Sequence, residues 1–177
     1  MLNAYYSDER LKLYEKYVRS RHSESVDHDA TKNFYFEFMD LIAGLQAQII
    51  EYRNEAGILL AEGFADILPE GISSVYFAFD PDAGRRSLGR FSVNTEIQIA
   101  KQLQKSFYYL GFWVPSSPKM DYKADFTPFE IAVDELNTQN AGSSPNLPIN
   151  LHKKVWRKFS SRDEALYWLQ TVGYLDR

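Results

Sequence analysis

The sequence predicts an α+β fold, a single domain with a mixed central sheet and flanking helices. Three observations lead there. Residues 72–79 (ISSVYFAF) are β-branched and aromatic and stop at the turn signal Asp80-Pro81. Residues 87–105 have helical spacing, with Val93, Ile97, Ala100 and Gln104 on one stripe and Ile99 and Leu103 beside it. Residues 106–114 (SFYYLGFWV) form a second aromatic strand closed by Pro115. Strand, helix and strand make a βαβ unit, so the two strands should run parallel with a right-handed crossover.

The remaining elements follow in order. Residues 8–22 read as a helix: Ser7 can cap it, Asp8 and Glu9 suit its first turn, and Leu11, Tyr14, Tyr17, Val18 and Arg21 share a face. A polar loop, 23–31, precedes a second helix at 32–43, whose Phe34, Tyr35, Phe38, Met39, Leu41 and Ile42 are expected to face inward, with Gly44 at its end. Residues 47–53 and 58–68 are strands joined by the hairpin turn Asn54-Glu55-Ala56-Gly57. Pro69-Glu70-Gly71 then leads into the strand at 72, which completes an antiparallel meander. Adding the parallel strand makes the sheet mixed. If its two parallel strands diverge, they open a cleft at the helix start near Gly89.

The expected organisation is a core over 1–136, a turn-rich connector over 137–150 (NTQNAGSSPNLPIN) and a C-terminal extension over 151–177. The extension carries the basic residues His152, Lys153, Lys154, Arg157 and Lys158. It ends in a helix at 161–172 that opens on the capping-box form Ser161-Arg162-Asp163-Glu164 and packs on the core.

At 177 residues, with 45% hydrophobic and 15% aromatic content, the chain can bury a core. No run approaches the ~18 apolar residues that span a bilayer, and no signal peptide is visible, so a cytoplasmic location is expected. Zero cysteines exclude disulfides and thiolate catalysis. The three histidines lie apart in polar segments, so no metal site is expected. A net charge of −4 argues against indiscriminate nucleic-acid binding but leaves room for a local basic site. Such a bias runs through Arg85, Arg86, Arg90, Lys101, Lys105, Lys119 and Lys123.

The loop-to-helix junction is the first candidate for chemistry. Arg86-Ser87-Leu88-Gly89-Arg90 places a glycine between two cations at a helix N-terminus, where unpaired N–H groups attract phosphate. It partly resembles the Arg/Gln-x-x-Gly-x-Gly/Ala loop with which GCN5-related acyltransferases hold the pyrophosphate of acyl-CoA. Phe91 stands where that motif has a small residue and would crowd a diphosphate.

A longer resemblance covers residues 5–130. Ser73-Ser74-Val75-Tyr76, Asp80-Pro81, Ser87-Leu88-Gly89, Glu96-Ile97, Tyr109-Leu110-Gly111-Phe112-Trp113, Ser117-Pro118-Lys119-Met120 and Tyr122-Lys123 appear in order, followed by Phe126 and Pro128. Upstream, Tyr14, Tyr17 and Arg21-His22 resemble a Tyr-x-x-Tyr-x-x-x-Arg-His helix. Together these resemble the C-terminal half of the aminoacyl-tRNA–protein transferases, the arginyl- and leucyltransferases of the N-degron pathway. The resemblance implies a GCN5-related N-acyltransferase-like fold. It also implies transfer of an arginyl or leucyl group from tRNA to a protein N-terminal α-amine, with aminoacyl-tRNA as co-substrate and no other cofactor.

Such a transfer needs its ester and amine positioned and its oxyanion stabilised, for which backbone N–H groups of the 72–79 strand or the hydroxyls of Tyr76, Tyr109 and Tyr122 are candidates. Arg86, Ser87, Gly89, Arg90, Lys119 and Lys123 are candidates for the tRNA, and Arg21 and His22 for an acceptor carboxylate. Arg21-His22 is followed here by Ser23-Glu24 rather than the family's Gly and Met. Each tyrosine also fits a core aromatic with its hydroxyl at an edge. If Pro118 starts a short helix, Lys119 and Lys123 share a face suited to the phosphates of an RNA 3′ end. The family opens with a domain bearing Cys-x-x-Cys, and this sequence starts at the acyltransferase-like half. A separate cysteine-containing partner is therefore one expectation. Independent action or a changed function are the others, including an acetyl-CoA-dependent acetyltransferase or a non-catalytic protein- or RNA-binding relic.

Overall fold

The computed structural model describes residues 2–3, 6–21, 28–44, 47–134, 154–172 and 174–175. They fall into two units, Met1–Gly111 and Phe112–Arg177. The first contains β1 (Leu2–Asn3), α1 (Asp8–Arg21), α2 (His28–Gly44), β2 (Gln48–Arg53), β3 (Leu59–Ile67), β4 (Gly71–Phe79), a 3-10 turn (Pro81–Arg86), α3 (Leu88–Gln102) and β5 (Phe107–Tyr109). The sheet order is β1-β2-β3-β4-β5. The first three pairings are antiparallel and β4–β5 is parallel, so the expected mixed sheet and helix-bridged parallel pair are formed.

Local chemistry explains the joints. The Ser7 side chain accepts from the Arg10 amide at 3.3 Å and caps α1. Asn54 accepts the amides of Ala56 and Ile58 at 3.0 and 2.9 Å, and Gly57 takes φ 79°, which closes the β2–β3 hairpin. Sheet alternation sends Ile49 and Ile50 to opposite sides. On one side α1 and α2 bury Leu11, Tyr14, Tyr35, Met39 and Ile42 with Ile49, Phe64 and Ala78. On the other, Leu88 and Ala100 of α3 pack with Ile50, Tyr52, Ala61, Ala65 and Ile72.

Several expectations need correction. The second aromatic strand is three residues, Phe107–Tyr109, rather than 106–114. Gly111 adopts φ 76° and Phe112 is 87% exposed, so the apolar run turns out of the sheet. Helix α3 ends at Gln102 because Gln104 takes φ 55°, which leaves Leu103 and Gln104 exposed instead of on the inward stripe. Helix α2 begins at His28, a turn earlier than expected, with the Asp29 charge in its first turn complementing the positive end of the helix dipole. Its Phe34 and Leu41 face solvent. Their seven-residue spacing puts both on the side away from Tyr35, Met39 and Ile42.

The second unit holds a 3-10 turn (Asp121–Asp125), β6 (Phe129–Asp134), β7 (Lys154–Phe159) and α4 (Arg162–Thr171). β6 and β7 form an antiparallel pair that sequence patterning did not suggest. The segment after Pro118 is a turn followed by the 3-10 turn rather than a short α-helix. At α4 the first half of the expected capping box forms, with Ser161 accepting from the Glu164 amide at 3.2 Å, while Glu164 accepts at 2.8 Å from the amide of Ser160, one residue before the cap. Among the described residues no helix is long and apolar enough to cross a membrane.

Candidate functional site

β4 and β5 pair only from Gly71↔Phe107 to Ser73↔Tyr109, while β4 continues to Phe79. Among the described residues no strand pairs with that edge of β4 beyond Ser73. On the β3 side the register jumps from Ala65↔Ser74 to Phe64↔Tyr76, leaving Val75 as the extra residue of a bulge. The open edge and the bulge therefore begin at adjacent positions. Gly71 makes the closed end of this fork possible: a Cβ there would lie 2.7 Å from Tyr109 Cε2 and 2.9 Å from the Phe107 carbonyl.

A buried carboxylate sits against the fork. Glu96 of α3 is 1% exposed and accepts the Tyr108 hydroxyl at 2.8 Å. The Ser74 hydroxyl reaches both groups, and the Tyr52 hydroxyl approaches the carboxylate from β2. Gly63 leaves the space: a Cβ on β3 there would stand 3.2 Å from Glu96 Oε1. Burial pushes the Glu96 pKa up, and the hydroxyls of Tyr108, Ser74 and Tyr52 oppose the rise. Burial also raises the pKa of Tyr108, reinforced by the Glu96 charge. In the sequence Glu96 figures only in the Glu96-Ile97 motif; the signal of its role is a carboxylate inside the buried stripe of α3, one turn from Val93 and Ala100.

The other face of β4 is aromatic. Tyr76 lies among Tyr14, Tyr17, Phe38 and Phe64 at ring distances of 5.8–6.4 Å, with its hydroxyl bonded to that of Tyr14. Burial raises its pKa. The Arg21 guanidinium stands 5.5 Å from the Tyr17 ring centre and 5.2 Å from that of Phe79, where β4 ends. His22 lies outside the described residues. Deeper in this layer, buried Arg10 donates to buried Glu62 at 2.8 Å, with Glu51 at 3.8 Å from the same nitrogen.

At the start of α3, Ser87 adopts a left-handed conformation (φ 50°, ψ 46°) and its side chain caps nothing. Gly89 is half-buried in the first turn and Arg90 is exposed. The backbone of Arg86 closes the 3-10 turn, and its side chain lies outside the described residues. Phe91 is 55% exposed and meets Tyr52 edge-on at 5.9 Å, so the bulky side chain projects from the first turn. Tyr109 is half-buried on β5.

Tyr122, Lys119 and Lys123 belong to the second unit. Lys119 is exposed, Tyr122 meets Phe126 edge-on, and half-buried Lys123 donates to the Phe112 carbonyl at 2.9 Å. Loss of hydration lowers the Lys123 pKa. Among the described residues no His, Asp and Glu group is placed to hold a metal ion.

The family described as Arginine-tRNA-protein transferase, C terminus, matches residues 9–133. The chain belongs to this family. The resemblance read over residues 5–130 thus covers nearly the same segment. The chain is 37% identical over 129 residues to the aspartate/glutamate leucyltransferase of Teredinibacter turnerae, covering 73% of this chain and 53% of that protein. Proteins of the same name from Saccharophagus degradans (35% over 128 residues; 72% and 54% covered) and Nitrosococcus oceani (38% over 128 residues; 72% and 53% covered) are similarly close. The chain spans about half the length of the curated relatives it matches. The fork, Glu96 and the Pro118–Lys123 turn all fall inside the transferase match, whereas β7 and α4 lie beyond it.

Proposed function

We propose that this chain carries the acyl-transfer half of an aminoacyl-tRNA–protein transferase, which moves a leucyl or arginyl group from tRNA to the α-amine of a protein. The name shared by its relatives favours leucyl as the group and Asp or Glu as the acceptor's first residue. The observation that carries the reading is the transferase match across the whole β4–α3–β5 fork.

The chemistry asks little of side chains. An α-amine with pKa ~7.7–8.0 is partly neutral near pH 7 and can attack the ester carbonyl directly. A C–N bond forms, the C–O bond to the ribose breaks, and the proton shed by the amine ends on the departing ribose oxygen. Positioning and oxyanion stabilisation supply the acceleration. Main-chain N–H groups of β4 beyond Ser73 are candidates for the oxyanion, with Tyr76, Tyr109 and Tyr122 as candidate hydroxyls. Ser87, Gly89, Arg86 and Arg90 would meet phosphate at the α3 start, and Lys119 and Lys123 would meet the RNA 3′ end. Arg21, held over two rings, would face the acceptor carboxylate. A separate cysteine-containing protein remains part of the proposal as a partner.

The test is transfer of labelled leucine or arginine from charged tRNA to peptides beginning with Asp, Glu or Ala, with and without such a partner. Product only on acidic peptides is expected. No transfer in any combination would remove the reading.

A further inference from the structure

The transferase match ends at residue 133, yet the chain beyond it returns to the motif residues of the second unit. An aromatic column runs Trp113–Phe129–Phe159–Trp168, with ring centres 5.8, 5.9 and 5.7 Å apart. Arg162, the first residue of α4, reaches the Ser117–Lys123 turn itself. Its Nη2 donates to the Asp121 carbonyl at 3.1 Å and pairs with the Asp121 carboxylate, and Nη1 lies 4.0 Å from Asp125. The other Asp121 oxygen accepts the Ser116 amide at 3.1 Å.

Besides the Lys123 ammonium, which donates to the Phe112 carbonyl at 2.9 Å, the turn is held by local bonds. Its main chain closes through Met120 and Asp121 amides to the Ser117 carbonyl at 3.0 and 2.8 Å, and then continues as a five-residue 3-10 turn. Such turns are short-range structures with poor hydrogen-bond geometry. Ser116 enters with φ 63°, an unfavourable conformation for a residue with a Cβ. A guanidinium suits this position because its planar fork binds a carbonyl and a carboxylate together, which a lysine ammonium does not reproduce.

We propose that Arg162 is a positioning residue: from beyond the family's matched segment, it holds the Ser117–Lys123 turn in the shape that presents Lys119 and Lys123 to the phosphates of an RNA 3′ end. This rests on the reading of that turn as RNA-binding, so the experiment separates the two. Amide exchange at Ser116, Met120 and Asp121 is followed in the full chain for wild type, Arg162→Ala, Arg162→Lys and Asp121→Asn. The same proteins are titrated with deacylated leucine tRNA. The expected result is exchange on the order of tenfold faster in all three variants, with β3 and β4 amides unchanged. Their tRNA affinity should fall about as far as that of Lys123→Ala, and combining Arg162→Ala with Lys123→Ala should add little.

Unchanged exchange at the turn overturns the brace. Faster exchange with undiminished tRNA affinity overturns its role in presentation. Absence of tRNA binding by wild type, with exchange still accelerated in the variants, overturns the RNA reading while leaving the brace standing. Should Arg162→Ala fail to fold, Asp121→Asn breaks the same pair from the other side and carries the same outcomes.

Discussion

Tyr108 donates its hydroxyl to the buried carboxylate of Glu96 at 2.8 Å and so ties β5 to α3 beside the point where β5 leaves β4. Glu96→Ala removes the acceptor and opens a cavity, while the hydroxyls of Tyr108 and Ser74 lose their partner. The expected cost is about 3 kcal/mol. Glu96→Gln keeps the shape and one acceptor oxygen and should cost roughly 1 kcal/mol. Urea unfolding of the two variants checks the order. Equal losses would mean that neither the side chain's shape nor its remaining acceptor oxygen stabilises the site, and would overturn this expectation.

The Arg10–Glu62 pair predicts a pH dependence. Burial, outweighing the pull of Arg10, pushes the Glu62 pKa from 4.5 up to about 7. Between those values the folded chain holds a proton that the unfolded chain has released, so stability falls as pH rises through this window. Glu51 remains beside Arg10 to balance its charge. Comparing urea midpoints of wild type and Glu62→Gln from pH 5 to 8 isolates the effect. The difference should shift by roughly 3 kcal/mol in favour of the variant as pH rises.

Gly71→Ala should loosen the closed end of the fork, because its Cβ would lie 2.9 Å from a main-chain carbonyl that cannot swing aside. A loss of roughly 2 kcal/mol is expected. Exchange at Tyr108 and Tyr109 amides should rise more than exchange at the β2–β3 hairpin.

If Lys119 and Lys123 neutralise RNA phosphates, removing either should reduce the log–log salt slope of tRNA binding by roughly 0.7. Lys101, on α3 and outside the proposed contact, should leave the slope nearly unchanged. A salt series with Lys119→Ala, Lys123→Ala and Lys101→Ala measures this, and equal slopes for all proteins would count against the contact.

Acetyl-CoA should bind weakly or not at all, since Phe91 projects from the turn where a diphosphate would need close approach to the backbone. Calorimetric titration that gave tight binding, abolished by Gly89→Trp, would redirect attention to acyl-CoA chemistry.

The sheet was legible in the sequence where local patterning and turn chemistry agreed. β2, β3 and β4 combine β-branched residues with Asn54–Gly57 and Pro69–Gly71 turns, and their positions are nearly as expected. Residues 106–114 misled because an aromatic run has the same composition whether it lies in a sheet or leaves it. The left-handed Gly111 decides the matter. β6 and β7 were hidden because each acquires its meaning only from the other across a long separation in sequence. Glu96 was hidden for the opposite reason: a glutamate is ordinary on a helix, and its burial depends on hydroxyls from β2, β4 and β5 and on the bare Cα of Gly63.

The bulge at Val75 also bears on self-association. A strand with unpaired main-chain groups is a template on which a second molecule can add a strand. Among the described residues the edge without a strand partner is confined to the far half of β4, and an irregularity breaks its regular spacing at the outset. The strands at the sheet's two ends are only two and three residues long. A flat intruding strand would find too few donors and acceptors in step to grow a fibre. Straightening β4 by deleting Val75 should therefore favour aggregation on concentration.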